Sequence, residues 1–542
     1  MLRVSQVPVP VDHDETVLRR KIARTLNVPP AALGEVKIHK KSIDARGVKG
    51  VEFGITADVE LLGTFSEAKI LAKQRGKGKV QETPDEEYVG LDGINSEFVG
   101  GRPIVVGSGP CGLLCALLLS RHGRNPIVLE RGKAAGDRAR DVTGFWRRGL
   151  DFDPESNVQY GEGGAGTFSD GKLYTQIKDR EHRIRWLLQE LVAKGAPEDI
   201  LTKGRPHIGT DRLIKVVRNI REEIIANGGE VRFGAKVTGL LVDDKQIAGV
   251  EVNGSEKIAA KTVVVAVGHS ARDMFEILHE AGAKMEPKSF SIGVRIEHPQ
   301  KVIDNAQLGE YAGHPKLGAA PYKIVHHCKN GRAAYSFCMC PGGLVVAAGS
   351  EPETVVTNGM SSYARAESNA NSGLMVDVRP GDFKKEGRGA LAGIDYQRKW
   401  ERAAFVEGGS DYHAPAQTVS DFLAGKPSTK LGKVASSYEP GVRPGDLRKC
   451  LPKYVIDTLK EAIPRIDARA LKGFGMRDAV MVGVETRSSS PLRVMRDPEM
   501  FQSTSIKGLY PAGEGAGYAG GIISAAADGM KVAEVLLRKR RI

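Results

Sequence analysis

Residues 102–132 read RPIVVGSGPCGLLCALLLSRHGRNPIVLERG, and this stretch decides the fold. A short apolar run ending at Val106 predicts a buried parallel strand, 111–121 predict a helix, and 127–129 predict a second strand. The glycines of a G-x-G-x-x-G pattern stand between the first strand and the helix, at Gly107, Gly109 and Gly112. This order is typical of a dinucleotide-binding unit, in which phosphates lie at the helix N-terminus.

The turn and the second strand together fit an adenosine diphosphate. Gly107 allows a tight turn, Gly109 lets the backbone approach a pyrophosphate, and Gly112 lets the helix pack close to the strand. Glu130 ends the second strand, in the position of an acid that accepts hydrogen bonds from an adenosine ribose. The neighbouring residues that are also predicted to contact the cofactor are Ser108, Pro110 and Arg131. A transmembrane helix over 103–120 is the poorer interpretation, because three glycines and a proline interrupt that apolar run.

The late segment 506–537 distinguishes FAD from NAD. It reads as strand, acid, glycine-rich turn and helix, a second motif that a simple NAD dehydrogenase would not need. Its acid, Glu514, stands at a position similar to that of the aspartate that binds the ribityl chain in flavoproteins of the glutathione-reductase class. Glutamate in place of aspartate departs from that pattern but keeps the negative charge. The positive helix N-terminus would face the flavin ring. The predicted cofactor contacts here are Gly513, Glu514, Gly520, Gly521 and Ile522.

Three further segments are predicted to complete the FAD site. Val237 is similar to a residue whose backbone contacts adenine in those flavoproteins, and Gly268 ends a buried strand over 262–267, as a glycine does on their adenosine side. The loop 160–175 is dense in glycine. An ordinary turn is the alternative there, but the glycines favour a loop that lies against the cofactor. Its predicted contacts are Gly164, Gly166 and Thr167.

The composition fits a globular protein with two or three domains. The chain has 542 residues, and 41% of them are hydrophobic. Six cysteines are too few for a disulfide scaffold and the first residues form no apolar signal, so we expect free thiols and a cytoplasmic location. The net charge of +13 is dispersed, which favours an electrostatic funnel for anionic cofactors and substrates over a nucleic-acid stripe.

These patterns predict an α/β protein in three parts. Residues 1–97 form a small N-terminal α+β domain of βαββ order, with a polar linker over 73–87. A Rossmann-type FAD-binding domain is expected over 98–279 and 481–542. An inserted mixed α+β substrate domain would occupy 280–480, because the last FAD motif returns only near the end of the chain.

Six short motifs stand out along the chain. They are IDAR at 43–46, GEGGAGTFSDGK at 161–172, FCMCPGG at 337–343, DYHAPAQ at 411–417, GVETRSSSP at 483–491 and GEGAGYAGG at 513–521. Together they resemble a largely uncharacterised family of bacterial FAD-dependent dehydrogenases, related to succinate dehydrogenase flavoproteins and to electron-transfer-flavoprotein:quinone oxidoreductase. The resemblance covers most of the chain. It implies bound FAD and oxidoreductase activity, and it implies no particular substrate.

The segment 322–340 is predicted to line the substrate side of the flavin. Its alternation predicts a hairpin with a two-residue loop at Asn330-Gly331. In that register Cys338 and Cys340 share a polar face, opposite Phe337 on an apolar face. Regular strand geometry would strain a direct disulfide between the two cysteines. The alternative is that both are small core residues. They lack a second ligand pair for zinc, so no metal site is predicted.

Two other polar residues near the flavin motifs are candidates. Arg487 is predicted to bind a substrate carboxylate or to stabilise reduced flavin, and a surface salt bridge is the alternative. His269 follows Gly268, and a structural hydrogen bond is the expected role.

We therefore expect an FAD-dependent oxidoreductase that passes a hydride from a small-molecule donor to flavin N5 and electrons to a separate acceptor. The candidate catalytic residues are Cys338, Cys340 and Arg487. The G-x-G-x-x-G spacing recurs only at 161–166 and 515–520, inside segments already assigned to the FAD site, which argues against a dedicated NAD(P)H domain and leaves direct docking of NAD(P)H open. The alternatives are a tRNA- or RNA-modifying flavoprotein, which the aromatic content of 6% disfavours, and a non-catalytic flavin-binding scaffold.

Overall fold

A computed structural model of the protein describes residues 1–46, 50–74, 78–91 and 101–538. The first elements are β1 (Leu2–Pro10), α1 (Glu15–Leu26), β2 (Leu33–Asp44), β3 (Glu52–Leu61), α2 (Glu67–Gln74) and β4 (Val80–Glu82). The four strands form an antiparallel sheet in the order β2–β3–β1–β4. Because β4 pairs with β1, the linker predicted over 73–87 is wrong at 80–82. The predicted domain boundary at 97 lies outside the described residues.

The middle of the chain contains most of the remaining elements. After the N-terminal sheet come β5 (Ile104–Val106), α3 (Pro110–Arg121), β6 (Ile127–Leu129), α4 (Ala135–Arg147), α5 (Arg183–Ala193), α6 (Thr210–Ala226), β7 (Glu230–Arg232), β8 (Val237–Asp243), β9 (Gln246–Val252), β10 (Glu256–Ala259), β11 (Val263–Val265) and α7 (Arg272–Glu280). The next elements are β12 (Met285–Pro287), β13 (Phe290–Pro299), α8 (Gln300–Leu308), β14 (Val325–His327), β15 (Ala333–Cys340), β16 (Leu344–Ala347), β17 (Thr357–Met360), β18 (Asn369–Val378), α9 (Pro380–Phe383), α10 (Ala392–Glu407), β19 (Ala414–Thr418), α11 (Val419–Ala424), β20 (Val442–Pro444), α12 (Lys453–Arg469) and β21 (Val480–Glu485). The chain ends with β22 (Leu492–Val494), β23 (Leu509–Pro511) and α13 (Ile522–Arg538).

Five parallel strands form the Rossmann-type sheet, in the order β23–β11–β5–β6–β7. Alternate side chains of these strands face opposite ways. Val105 and its neighbours pack with α3, α6 and α13 on one face. Ile104 and Val106 pack with α7 and the antiparallel sheet β8–β9–β10 on the other. With both faces covered, the central strands are apolar throughout. The predicted α/β class is confirmed.

Helices α3 and α13, which begin beside the two glycine motifs, pack directly on each other. Gly529 of α13 permits this contact, because an added Cβ would lie 2.1 Å from the carbonyl oxygen of Cys111 in α3. The close approach holds the N-termini of the two helices at the same edge of the sheet. None of the helices in the described ranges is long and apolar enough to cross a membrane.

A second large sheet has seven strands, in the order β14–β15–β18–β13–β21–β19–β20. Its pairs are antiparallel except β19–β20. The strand β21 pairs with β13, so residues 480–485 belong to this sheet. The division of the chain into three domains stays a prediction. We place the C-terminal boundary of the inserted domain after Glu485 instead of at 480.

Candidate active site

The C-terminal ends of the parallel strands open into a cavity of about 910 Å³. Gly107 follows β5, Glu130 follows β6, Gly268 lies beyond β11 and Glu514 beyond β23, and all four line this cavity. Ligands of open α/β sheets bind at this edge. The cavity volume lies within the range of cofactor sites. Distant segments of the sequence thus meet at one place, and their contacts with FAD remain predictions.

Most of the predicted cofactor residues line the cavity. They are Gly107, Gly109, Pro110, Glu130, Arg131, Gly164, Gly166, Val237, Gly268, Glu514, Gly520, Gly521 and Ile522. Four predicted cofactor residues are not among the lining residues: Ser108, Gly112, Thr167 and Gly513. An added Cβ at Gly112 would lie 1.9 Å from the carbonyl oxygen of Gly107, so this glycine serves the packing of α3 on the turn.

The other three residues outside the lining make hydrogen bonds behind it. The Ser108 hydroxyl donates to Glu130 at 2.7 Å, and the Thr167 hydroxyl donates to the carbonyl of Glu162 at 3.2 Å. The N–H of Gly513 donates to Asp528 at 2.7 Å. These bonds fix the three glycine-rich turns that the cavity residues belong to.

Two helix N-termini and open backbone form a cradle along the cavity. Helices α3 and α13 begin at Pro110 and Ile522, and the first N–H groups of a helix have no partner within it. At Gly109 an added Cβ would meet only the Cα of Gly164, at 3.9 Å, and at Gly520 it would meet nothing within 4 Å. Such N-termini bind phosphates and other anions. The residues present therefore fit FAD.

Glu130 connects three loops around the cavity. One carboxylate oxygen accepts from the N–H and hydroxyl of Ser108, at 2.9 and 2.7 Å. The other accepts from the N–H groups of Gly132 and Gly161, both at 2.9 Å. A carboxylate has about four acceptor positions, and these protein donors occupy them. Binding of a ribose by Glu130 stays a prediction, and its role in holding the loops is visible directly.

A buried guanidinium organises the glycine-rich loop 157–164. Arg138 of α4 is fully buried, and burial lowers its pKa to about 10, which still leaves it charged at neutral pH. It donates to backbone carbonyls within the loop at 2.8–3.3 Å, those of Asn157, Val158, Gly161, Glu162 and Gly164. A buried charge is tolerated only when it is compensated in this way. Arg138 was not among the predicted site residues.

Charged residues beside the cavity at Arg131 neutralise one another. Arg131 donates to Glu155 at 2.6 Å and to Asp273 at 2.8 Å, and its guanidinium lies 4.1 Å from the ring centre of Tyr160. Lys236 Nζ contacts the same two carboxylates at 2.9 and 3.1 Å. The segment that carries Val237 is thereby held at the cavity wall.

His269 and Glu514 meet across the cavity wall. The Nδ1 atom of His269 lies 3.4 Å from a carboxylate oxygen of Glu514. Its Nε2 atom is buried and lacks a hydrogen-bond partner, although the residue lines the cavity. An unpartnered polar atom in a cofactor cavity calls for a ligand atom. The structural hydrogen bond expected for His269 stays a prediction.

The predicted register of the 322–340 hairpin is wrong by one residue. Val325 pairs with Tyr335 and His327 with Ala333, so the loop is one residue longer than predicted. The strand β15 then has a bulge, which moves Phe337 and Cys338 together into the cavity lining. Phe337 was assigned to the apolar face, and Cys340 was assigned to the cavity. Cys340 instead is fully buried behind the wall.

Arg487 lines the cavity, and each of its three guanidinium nitrogens donates a hydrogen bond within the protein. It is 5% exposed, so the alternative of a surface salt bridge is wrong. Its guanidinium donates to Glu401 at 3.0 and 3.2 Å and also to the Ser350 hydroxyl. Glu401 is fully buried and also accepts from Arg272, at 2.7 and 2.9 Å. Arg487 thus belongs to a buried ion network that stiffens one cavity wall. A role toward substrate stays a prediction.

Several lining residues were absent from the sequence-based site, notably Lys172 and Asn358. Lys172 ends the GEGGAGTFSDGK motif, which was the one signal for it.

Elsewhere, His326, Cys328 and Glu461 bring possible ligand atoms within 4.8 Å of one another. The Cys328 thiol donates to the Thr458 carbonyl at 3.6 Å, and Glu461 accepts from a backbone N–H, so protein groups already use these atoms. We assign no metal to this cluster.

Comparison with known proteins places the chain in a family. Residues 289–488 match the family described as FAD-dependent protein, C-terminal domain-like, residues 105–161 match an NAD(P)-binding Rossmann-like domain, and residues 1–60 match a domain of unknown function. An uncharacterised protein of Clostridium beijerinckii is 45% identical over 541 residues, covering 99% of each chain. The chain belongs to this family of FAD-dependent proteins. It is an FAD-dependent oxidoreductase.

The chain is also similar, at lower sequence identity, to other proteins and solved structures. Protein FixC of Escherichia coli K12 is 28% identical over 214 residues, covering 37% of this chain and 44% of FixC. Among solved structures, L-proline dehydrogenase from P. horikoshii shares 13% identity at a TM-score of 0.32, over 81% of this chain and 93% of that one. A glycine oxidase from Bacillus cereus shares 11% identity at a TM-score of 0.30, over 80% and 97% of the two chains.

Proposed function

We propose that the protein oxidises a small-molecule donor at FAD and passes the electrons to a separate acceptor. One observation carries the proposal: the cavity that contains both glycine motifs also contains a polar wall of Lys172, Cys338 and Asn358. A cofactor in the cradle and a donor at this wall would share one enclosed space, which hydride transfer to flavin N5 requires. The enzyme is expected to work in the cytoplasm.

Each group of residues would have a distinct task. The turns at Gly109 and Gly164 and the N-terminus of α3 would hold the pyrophosphate. The N-terminus of α13 would place positive potential at the flavin ring, which supplies the electron-accepting chemistry when FAD is bound. Lys172 would add a positive charge at the donor wall. Burial opposes this charge, but the negative charges of Cys338 and Asp170 outweigh it and hold the pKa of Lys172 above the usual value.

The charge at the wall favours an anionic donor. Lys172 Nζ lies 2.9 Å from Asp170, and Asp170 also pairs with Arg365 at 2.6 Å. Lys323 lines the same cavity and is exposed, so it adds a second cation where the cavity meets solvent. Two lysines around one opening attract carboxylates and phosphates. NADH and NADPH, which carry phosphates, are therefore included among the donors to be tested.

The experiment is an anaerobic screen of the purified protein. We expect a yellow protein that releases FAD on heat denaturation and whose flavin absorbance bleaches with one class of anionic donor. Lys172→Met should raise the KM for that donor at least ten-fold, about 1.4 kcal/mol of lost binding, while FAD content stays stoichiometric. Turnover with any donor rules out a non-catalytic scaffold. A colourless protein that takes up no added FAD would contradict the proposal itself.

A further inference from the structure

A bulge in β15 directs one thiol into the flavin cavity. Phe337 pairs with Gly373 and Cys340 with Asn371, so the strand contains one extra residue between these pairs. Cys338 lies in this bulge with φ of 45°, a region that residues other than glycine rarely adopt. Bulges beside active sites re-aim side chains, and strained backbone concentrates at functional positions. Here the result is a Cys338 side chain at the cavity wall.

The bulge is fixed by a buried arginine. Arg295 is fully buried, and its Nη1 donates to the carbonyl of Cys338 at 2.8 Å. The same guanidinium is held by Glu485, with hydrogen bonds of 2.5 and 2.9 Å. A bidentate pair of this kind sets the orientation of the guanidinium. The strained conformation of Cys338 is therefore held from the side away from the cavity.

The same bulge brings the second thiol next to the first. The Cys340 thiol donates to the backbone carbonyl of Cys338 at 3.3 Å, which places its sulfur beside the bulge. In a regular strand the side chains of Cys338 and Cys340 would point to the same face of the sheet, separated by one two-residue repeat. The bulge replaces the regular strand geometry from which the strain of a direct disulfide was predicted.

The charges around the pair favour a thiolate at Cys338. Lys172 Nζ lies 3.9 Å from the Cys340 sulfur. The neighbouring Cys340 thiol, with the charges of Lys172 and Arg295, lowers the pKa of Cys338 well below its usual value despite burial. Burial raises the pKa of each cysteine away from this pair, to about 11 at Cys328 and higher at Cys111, Cys115 and Cys450. Cys338 is thus distinguished among the six cysteines by both position and charge.

We propose that Cys338 and Cys340 are a redox-active dithiol that delivers an electron pair to the flavin, which makes a thiol that carries an anionic group the class of donor. Formation of the S–S bond from the Cys338 thiolate and the Cys340 thiol releases two electrons and one proton, and oxidised flavin takes up both electrons and a proton. An external dithiol then reduces the protein disulfide by two exchange steps and leaves as a disulfide. This inference rests on the proposed function, because bound FAD is the oxidant.

The first test counts electrons in the FAD-loaded protein. With an active disulfide, complete anaerobic reduction by dithionite should consume four electrons per FAD, and in Cys338→Ser it should consume two. The tryptic peptide 333–365 contains these two cysteines and no others, so its mass should fall by two hydrogens on oxidation. A Cys450→Ser variant, altered at a buried thiol outside the cavity lining, should keep the four-electron value.

The second test measures thiol reactivity and does not need turnover. Iodoacetamide should alkylate Cys338 at pH 6.5 at least ten-fold faster than a thiol of ordinary pKa, about 8.5. Lys172→Met should shift the pH profile of that reaction upward. The dithiol would be overturned if the wild-type protein bound FAD but took up only two electrons, and if the peptide never lost two hydrogens. The proposed function would then remain intact. Both measurements use the wild-type chain, so they decide even where a variant fails to fold.

Discussion

Gly109→Val is expected to give a folded protein that has lost nearly all of its FAD. The backbone at Gly109, with φ of −72° and ψ of −178°, is accessible to valine. An added Cβ would contact only the Cα of Gly164, at 3.9 Å, because the space beyond it is the cavity. The valine side chain would therefore occupy the position predicted for the pyrophosphate. We expect FAD affinity to fall at least 100-fold, about 2.7 kcal/mol, measured by fluorescence titration of the apoprotein.

Two other glycines serve as matched controls. Gly136→Val lies on the exposed side of α4, where an added Cβ meets nothing within 4 Å, and it should keep both fold and FAD. Gly112→Ala should fail to fold, because its Cβ would lie 1.9 Å from the Gly107 carbonyl oxygen. Full FAD occupancy in soluble Gly109→Val would show that the cofactor phosphates lie elsewhere.

The sequence predicted the local elements well because local rules decide them. The βαββ order predicted for the N-terminal residues is present as β1, α1, β2 and β3, and Asp14 accepts from the Val17 N–H at 2.8 Å, as an N-cap should. The strand at 127–129 coincides with β6. In both places a turn or cap residue adjoins an apolar run, so a few neighbouring residues contain the whole signal.

The hairpin register could not be read in the same way. Asn330-Gly331 is a genuine turn signal, and Gly331 does adopt a positive φ of 75°. The loop that forms is nevertheless one residue longer, since Cys328 N–H donates to the Arg332 carbonyl at 2.8 Å. Register then depends on pairing with β18 and on the bulge that Arg295 stabilises. These contacts are between residues far apart in sequence. A register shift of one residue moves every side chain of the strand to the other face of the sheet.

The same reasoning explains why charged residues of the site were missed. Lys172 and Cys340 are 168 positions apart in sequence, and their contact exists only after both sheets have formed. Arg138 stands in a polar stretch of α4 between charged neighbours, which predicts exposure to solvent. Its burial becomes favourable only when the loop 157–164 presents its carbonyls. Sequence patterns report the elements, and packing decides which charges enter the interior.

Arg138→Met should therefore be among the most damaging substitutions that add no bulk. Methionine fills a similar space but donates nothing, so the carbonyls of the loop 157–164 lose their shared donor. Each buried polar group left unsatisfied costs about 1–3 kcal/mol, so a total loss of at least about 3 kcal/mol in unfolding free energy is expected. The glycine-rich loop would also lose its shape at the cavity, because Arg138 contacts the carbonyl of Gly164 at 2.9 Å.

Urea unfolding, limited proteolysis within 157–164 and FAD content measure these effects together. Arg138→Lys should fall between wild type and Arg138→Met, because an ammonium keeps the charge and three donors but lacks the planar fork. Arg140→Met is the control on the same helix, since Arg140 is exposed and, among the described residues, pairs only with Asp137. It should change stability by less than about 0.5 kcal/mol. Equal urea midpoints and equal FAD content for Arg138→Met and Arg140→Met would show that the loop holds its shape without the buried guanidinium.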